Sequence, residues 1–234
     1  MKFIATFAVV LLVSQSCQKD WLKPKALSFY SPENTLIDES GFNAALAAIA
    51  KNVRDEWYGD GAPIITENLF SEGAVEGTTD KFGPAVNMNL LITPDAQLNN
   101  VDFNRVGWYW ERWYLIIRLA NTVTTRIPDV KTIPDATKNI ILGRAYFFRA
   151  YAYYRLVNEF GDVPATFKEL TEAKLDFQSV KRDVILQRLK SDLDFAMQYV
   201  PWVANKGEVN RGAVGHLLAK VNLSLGNFDD AITA

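Results

Sequence analysis

The residues that could do chemistry are few, and they form no recognisable catalytic or metal-binding pattern. The chain has one histidine, His216, and one cysteine, Cys17, so a zinc or iron site lacks its usual ligands. A Ser-His-Asp triad would have to recruit the same histidine, and no nucleophile-elbow motif accompanies it. We therefore expect a packing or surface role for His216, and no metal, cofactor or catalytic residue.

Carboxylates of the glycosidase type could be drawn from one acidic stretch, at Glu67, Glu72, Glu76 and Asp80. Any acidic loop offers such pairs by chance, and spacing along a loop does not fix the distance between two carboxyl groups. The glycine-containing stretches nearby do not match a phosphate-binding loop. The sequence therefore gives little support for an enzyme.

The single cysteine follows an apolar N-terminal stretch. Residues 1–16 have the pattern of a secretory signal peptide, with Lys2, an apolar run over 3–13 and a small residue, Ser16, before the cysteine. The run is too short for a transmembrane helix, which needs about 20 apolar residues. "LVSQSC" resembles a bacterial lipobox, in which the cysteine becomes the acylated N-terminus. We predict lipidation of Cys17; the alternative is an ordinary signal peptide followed by an incidental buried cysteine.

Charge and composition limit the classes of partner. Twenty-five basic and 27 acidic residues leave a formal net charge of −2, and no basic cluster is present, so nucleic acid is not an expected partner. Aromatic residues make up 12% of the chain. Such side chains either fill a core or stack on sugars, and composition alone does not choose between these roles.

Helical periodicity dominates the chain and predicts an all-α fold of packed helix hairpins. No convincing alternating strand is present. The predicted buried stripes are Phe42, Leu46, Ile49, Val53 and Trp57; Trp113, Ile116, Ala120, Val123 and Ile127; Ile141, Ala145, Phe148, Ala152 and Leu156; Leu186, Leu189, Leu193, Ala196, Met197 and Val200; and Val214, Leu217, Leu218, Val221 and Leu225.

Capping residues predict where these helices begin. The first begins at Asp38 or Ser40, the third after Pro134, the fourth at Ser179 and the fifth at Asn210, and a further helix begins at Asp229 or Asp230.

Two segments lack this periodicity. Residues 17–34 are polar and contain prolines, which suits an extended tether behind a lipid anchor. Residues 60–104 are rich in Gly, Pro, Asn, Asp and Thr, and loops of this length are usually functional or disordered. We take 60–104 as the candidate ligand-binding region. The aromatic cluster "WYWERWY" at 108–114 lies within a helix, which favours core packing over sugar binding.

The helix turns show signs of a repeat. "AKVNLSLGNFDDAI" resembles the turn of a tetratricopeptide repeat, and Phe160 and Phe228 lie 68 residues apart, twice the period of about 34. The helix predicted after Gly226 has barely one turn before Ala234. We interpret the chain as the N-terminal portion of a longer protein, truncated at its C-terminus; the alternative is a short protein with a frayed end.

Several stretches, read in order, resemble the SusD/RagB family of outer-membrane lipoproteins from Bacteroidota. The start "SCQKDWL" and the helix "WYLIIRLANTVTTRI" are similar to the family's sequences. The most distinctive match is "GRAYFFRAYAYYRLVNEFGDVP", with its Arg-Ala-x-x-x-Arg-Ala-x-x-Tyr core. "LKSDLDFAMQYVP" and "GEVNRGAVGHLLAKVNLSLGNFDDA" match the helices that follow.

The resemblance implies a tetratricopeptide-like helical scaffold that binds glycan or another nutrient oligomer and performs no bond chemistry. It implies a SusC-like TonB-dependent transporter as partner and a lipid-anchored location at the cell outer membrane, exposed on the surface. The resulting organisation is a signal peptide over 1–16, a lipidated tether over 17–34 and a SusD-like helical domain over 35–234. A tetratricopeptide-type scaffold for envelope proteins and a carbohydrate-active enzyme remain as alternatives.

Overall fold

The computed structural model describes residues 31–58, 67, 71 and 105–234. The chain divides into two compact units, residues 1–35 and 36–234. In the first unit the described residues form one helical turn, α1 (Pro32–Thr35), so the last residues of the predicted tether are helical. Cys17 and the predicted signal peptide lie outside the described residues.

Six further helices make up the described part of the second unit. They are α2 (Glu39–Tyr58), α3 (Arg105–Arg126), α4 (Asp135–Phe160), α5 (Arg182–Tyr199), α6 (Arg211–Leu225) and α7 (Phe228–Thr233). A 3-10 turn (Ile127–Asp129) follows α3, and two-residue strands β1 (Val163–Pro164) and β2 (Ser179–Val180) pair antiparallel between α4 and α5. The described residues confirm the predicted all-α class.

The helices pack in chain order around α4. This helix contacts α3 on one side and α5 on the other, α2 lies against both α3 and α4, and α5, α6 and α7 follow in succession. Packing of sequential helices on one another is expected where each helix has one apolar face. α4 is therefore the helix that positions most of the structure.

Close approach of α4 and α5 depends on a glycine. A Cβ atom added at Gly143 would lie 2.9 Å from Val200 Cγ2 and 3.3 Å from the Cα atom of Ala196. Both distances are shorter than ordinary van der Waals contact, so any larger side chain at this position would push the two helices apart.

Local capping signals placed several helix ends correctly. Asp38 Oδ1 accepts from the Gly41 amide at 2.8 Å, and Asn210 Oδ1 accepts from the Ala213 amide at 2.9 Å, as N-cap residues do. Gly226 ends α6 with φ 77°, a left-handed conformation that glycine adopts without a Cβ penalty.

Three predicted positions were wrong. Ser179 does not cap α5, because it pairs with Pro164 in the two-stranded ladder and the helix begins three residues later at Arg182. The last helix begins at Phe228, slightly before the predicted Asp229. On α2, Trp57 is 50% exposed whereas its neighbour Glu56 is fully buried.

The other apolar stripes form the core as predicted. Trp113, Ile116, Ala120, Val123 and Ile127 are buried, and so are all five stripe residues of α4. On α5 and α6 the stripes are buried except for Met197 and Leu225, which are partly exposed and pack against the core. No described helix is long and apolar enough to cross a membrane.

Candidate functional site

The described part of the candidate region 60–104 includes Glu67, which contacts the α4 side chain of Arg155. The other carboxylates named from the sequence, at positions 72, 76 and 80, lie outside the described residues. Arg155 is the centre of a polar cluster that also contains Glu56 from α2 and Glu159 from α4. We call these four residues the Arg155 cluster.

Arg155 makes short contacts to all three carboxylates through one guanidinium nitrogen. Its Nη2 lies 2.6 Å from Glu56 Oε1 and 3.2 Å from Glu159 Oε1, and it also contacts Glu67 Oε1. Glu159 lies one helical turn after Arg155, a spacing that brings two side chains together on a helix surface. Glu56 reaches the cluster because it lies seven residues after Ile49, on the buried face of α2.

Aromatic side chains surround the cluster and donate hydrogen bonds to two of its carboxylates. Trp113 Nε1 donates to Glu159 Oε2 at 3.3 Å, and the Tyr151 hydroxyl donates to Glu56 Oε2 at 3.4 Å. The Arg155 guanidinium carbon lies 5.5 Å from the centroid of the Trp113 ring, within the range of a cation–π contact. Glu56 and Glu159 are thus held by internal partners.

Burial changes the acidity of the cluster. Desolvation raises the pKa of Glu159 to about 7, although Arg155 opposes the shift and Glu67 adds to it. Desolvation also raises the pKa of Glu56 against the effect of Arg155, and it raises the pKa of Tyr151 to about 12. Burial alone would lower the pKa of Arg155, but the three glutamates outweigh it and raise that pKa.

The arrangement fixes the positions of the elements that supply its residues. The contacts of Glu56 and Glu159 join α2, α3 and α4, and Glu67 reaches the same point. In chemical terms the cluster anchors Glu67 on the helices. It does so through charge-assisted contacts, which are stronger than neutral hydrogen bonds.

The "WYWERWY" stretch of α3 is mostly core, as predicted. Trp113 and Tyr109 are buried, and Trp108 and Tyr114 are half-buried. Trp110 differs, because it is 37% exposed and stacks edge-on against Phe160 with its ring centroid 5.1 Å away. The exposed rings of Trp110 and Trp57 stand near the ends of α3 and α2 that the 60–104 segment connects.

A second polar cluster holds the connection between α4 and α5. Arg149 is 1% exposed; its Nε donates to Asp192 Oδ2 at 2.9 Å, and its Nη1 donates to the Phe167 carbonyl and to Asn121 Oδ1, both at 3.0 Å. Tyr153 also fixes this connection, since its hydroxyl donates to the Thr166 carbonyl at 2.8 Å.

The distinctive arginine motif of α4 therefore has a structural role in this chain. Arg149 and Tyr153 fix the connection that follows α4, and Arg144 contacts Glu208 in the loop before α6, with Nη2 2.9 Å from Oε2. Periodicity alone missed the burial of Arg149, Asp192 and Glu56. The available signal was an arginine at a core-facing position between the buried Phe148 and Ala150.

The structure places His216 on the exposed side of α6. Within residues 31–58, 67, 71 and 105–234, no group of three or more His, Cys, Asp or Glu side chains is arranged to hold a metal ion.

Known proteins with similar sequence or structure agree on one family. Residues 32–223 match the SusD-like_3 family, described as starch-binding and associating with the outer membrane. SusD-like protein P2 of Formosa agariphila is 24% identical over 98% of this chain and 44% of its own length. SusD-like protein P25 of the same organism is 23% identical over 96% of this chain and 43% of its own length.

Solved structures show the same fold. A laminarin-binding SusD-like protein superposes with a TM-score of 0.68 at 22% identity, over 84% of this chain and 42% of the other. Surface glycan-binding protein A from Bacteroides uniformis gives a TM-score of 0.68 at 19% identity, over 84% and 45%. These helical, tetratricopeptide-like folds match the predicted architecture. The chain spans less than half the length of these relatives, and it belongs to the SusD-like family.

Proposed function

We propose that the protein is a surface lipoprotein that binds oligosaccharide and delivers it to a TonB-dependent outer-membrane transporter without cleaving it. The family match over residues 32–223 carries the proposal. The Arg155 cluster is consistent with it, because Glu56 and Glu159 accept hydrogen bonds from Arg155 and Trp113 that join the helices.

We place the oligosaccharide beside the 60–104 segment, at the exposed rings of Trp57 and Trp110. Aromatic rings that are partly exposed and held by neighbouring side chains are suited to bind the faces of ligand rings. Trp110 is held by Phe160 and Tyr114, so its orientation is fixed before ligand arrives. A preformed ring loses little conformational freedom on binding.

Trp57→Ala and Trp110→Ala are each expected to weaken binding of a neutral glucan oligosaccharide by about tenfold or more, as loss of a central aromatic contact does. Isothermal titration calorimetry with maltoheptaose and laminarihexaose measures the change. Trp202→Ala is the matched control, since Trp202 is also exposed, at 64%, but lies in the loop between α5 and α6. Equal effects at all three positions would contradict the proposed site.

Attachment to the membrane is proposed to depend on acylation of Cys17, since an acyl chain contributes about 0.8 kcal/mol per buried methylene group. Cys17→Ala is expected to leave the precursor without lipid and to move the protein from the membrane to the soluble fraction. Metabolic labelling with a fatty-acid analogue, followed by fractionation, measures both effects. Ser16→Ala, which keeps a small residue before the cysteine, should remain labelled. A labelled, membrane-bound Cys17→Ala variant would refute the anchor.

The alternative function is a tetratricopeptide-type scaffold for other envelope proteins, which the stacked helices would also suit. The two functions differ in their partner. Gentle extraction of the tagged chain from its host membrane should recover a TonB-dependent barrel in stoichiometric amount if the transport proposal is correct. Recovery of other envelope proteins without a barrel would favour the scaffold.

A further inference from the structure

A groove with a volume of 480 Å³ lies between α2, α4 and the loop that precedes α6. Its lining is separate from the Arg155 cluster and from Trp57 and Trp110. The apolar part of the lining consists of Leu46, Ala47, Ala50, Phe148 and Val209.

The groove exists because α2 presents small side chains at its centre. Ala47 and Ala50 are three residues apart and therefore lie on one helix face. Phe148 from α4 and Val209 from the loop are buried below them. A larger side chain at either alanine would fill the space that now lies open beside α4.

Positive charge surrounds this apolar floor. The cationic lining residues are Lys51, Arg54, Arg144 and Lys206, whereas Glu208 is the lining carboxylate. Glu208 is already occupied, because it contacts Arg144 Nη2 at 2.9 Å and accepts from the Asn205 amide at 3.2 Å. The remaining cations outnumber the acidic groups that could neutralise them within the groove.

The three cationic side chains other than Arg144 have weak interactions with their neighbours. Lys51 Nζ lies 3.8 Å from Asp55 Oδ2, and the Arg54 guanidinium carbon lies 5.6 Å from the centroid of the Tyr58 ring. Lys206 contacts no carboxylate within 4.0 Å among the residues that the structure describes. All three are exposed, so they can turn toward a ligand with little loss of existing interactions.

We propose that this groove binds a carbohydrate of one or two rings that bears a carboxylate or a sulfate group. The proposal rests on the proposed carbohydrate-binding function and adds a second, charge-selective site to it. Lysine and arginine side chains recognise carboxylate and sulfate through charge-assisted hydrogen bonds. The one aromatic lining residue, Phe148, is buried, so charge takes the place of ring stacking.

The size of the groove favours a sugar over an acidic protein partner. Small-molecule sites have volumes of about 300–1,000 Å³, and the groove lies within that range. A stable protein interface buries about 800 Å² on each partner, which requires a larger surface than this lining provides. The groove is therefore assigned to a compact anionic sugar.

Isothermal titration calorimetry of the purified 234-residue chain tests the proposal with digalacturonate, a sulfated κ-carrageenan disaccharide and neutral cellobiose. At least one anionic disaccharide is expected to bind at least tenfold more tightly than cellobiose, and added salt should weaken that binding. The anionic sugar that binds identifies the preferred charged group. Maltoheptaose, titrated separately, reports on the neutral site of the proposed function.

Two groove variants and one control assign the site. Lys51→Gln/Arg54→Gln/Lys206→Gln is expected to weaken anionic binding by about tenfold, and Ala47→Glu should weaken it by placing a carboxylate in the groove. The control Arg118→Gln/Lys131→Gln/Lys220→Gln removes three exposed charges elsewhere and should bind normally. Maltoheptaose binding is expected to be the same in all three variants.

Four results would overturn the inference: no binding of either anionic disaccharide, equal loss in the control variant, equal competition by inorganic sulfate, or tighter binding of an acidic peptide. None of these results tests the proposed function, because that function is tested by the binding of the neutral oligosaccharides maltoheptaose and laminarihexaose. If maltoheptaose binds and the anionic sugars do not, only the charged groove is wrong. If the anionic sugars do not bind and neither maltoheptaose nor laminarihexaose binds, both are wrong.

Discussion

Replacement of Arg149 by methionine is expected to lower the free energy of unfolding by about 3–5 kcal/mol, the cost of removing one partner from a buried ion pair. Arg149 contacts Asp192 on α5, Asn121 on α3 and the Phe167 carbonyl. Methionine fills most of the same volume but donates no hydrogen bond. Asp192, whose pKa is raised by burial against the effect of Arg149, would lose its closest counter-charge.

Urea unfolding followed by circular dichroism measures this effect. Arg188→Met is the matched control, because Arg188 Nε approaches the same carboxylate, 3.3 Å from Asp192 Oδ1, from a half-exposed position. Its loss is expected to cost less than about 1 kcal/mol, as for other exposed ion pairs. If the two variants were equally stable, the buried cluster would not be the principal link between α3, α4 and α5.

Glu159→Gln is expected to stabilise the protein in a pH-dependent way. Burial raises the pKa of Glu159 to about 7 from an ordinary value of 4.5, so the folded protein retains a proton in this interval that the unfolded chain releases. Stability due to the neutral form is therefore fully present below pH 4.5 and is lost as the pH rises through 7. At about 1.4 kcal/mol per pH unit the full shift would correspond to about 3 kcal/mol, but Glu159 is exposed near the end of α4, and solvent screening reduces the expected loss to about 1 kcal/mol.

Glutamine keeps an acceptor for Trp113 Nε1 and does not ionise, so the variant avoids this loss. Its stability relative to the native sequence should rise by about 1 kcal/mol between pH 4.5 and pH 8, measured by urea unfolding at each pH. Glu111→Gln, which alters an exposed carboxylate of α3, should show little change over the same range. A flat difference for Glu159→Gln would mean that Arg155 keeps this carboxylate ionised.

The sequence correctly predicted the structural features that depend on residues close together in the chain. The helix starts at Asp38 and Asn210 and the end at Gly226 follow from local capping chemistry, and the apolar stripe of α4 follows from helical periodicity. The prediction that Ser179 caps α5 was wrong, because this residue pairs with Pro164 in a strand contact. A local capping preference carries no information about such a partner.

Buried charge was not predictable in the same way. Glu56 is buried because Arg155, 99 residues further along the chain, neutralises it, and Arg149 is buried because Asp192 lies 43 residues away. A periodic pattern treats every charged residue as exposed. For the candidate site, the sequence indicated the 60–104 segment, but the contact of Glu67 with Arg155 depends on how α2 and α4 pack.

The most direct test of the proposed function is whether the 234-residue chain binds a neutral oligosaccharide and returns it intact. Calorimetry with maltoheptaose and laminarihexaose, followed by mass spectrometry of the recovered sugar, answers both parts. We predict saturable binding of at least one of them and full recovery at its original length. Shorter products, or no binding of either sugar, would contradict a non-catalytic carbohydrate-binding protein.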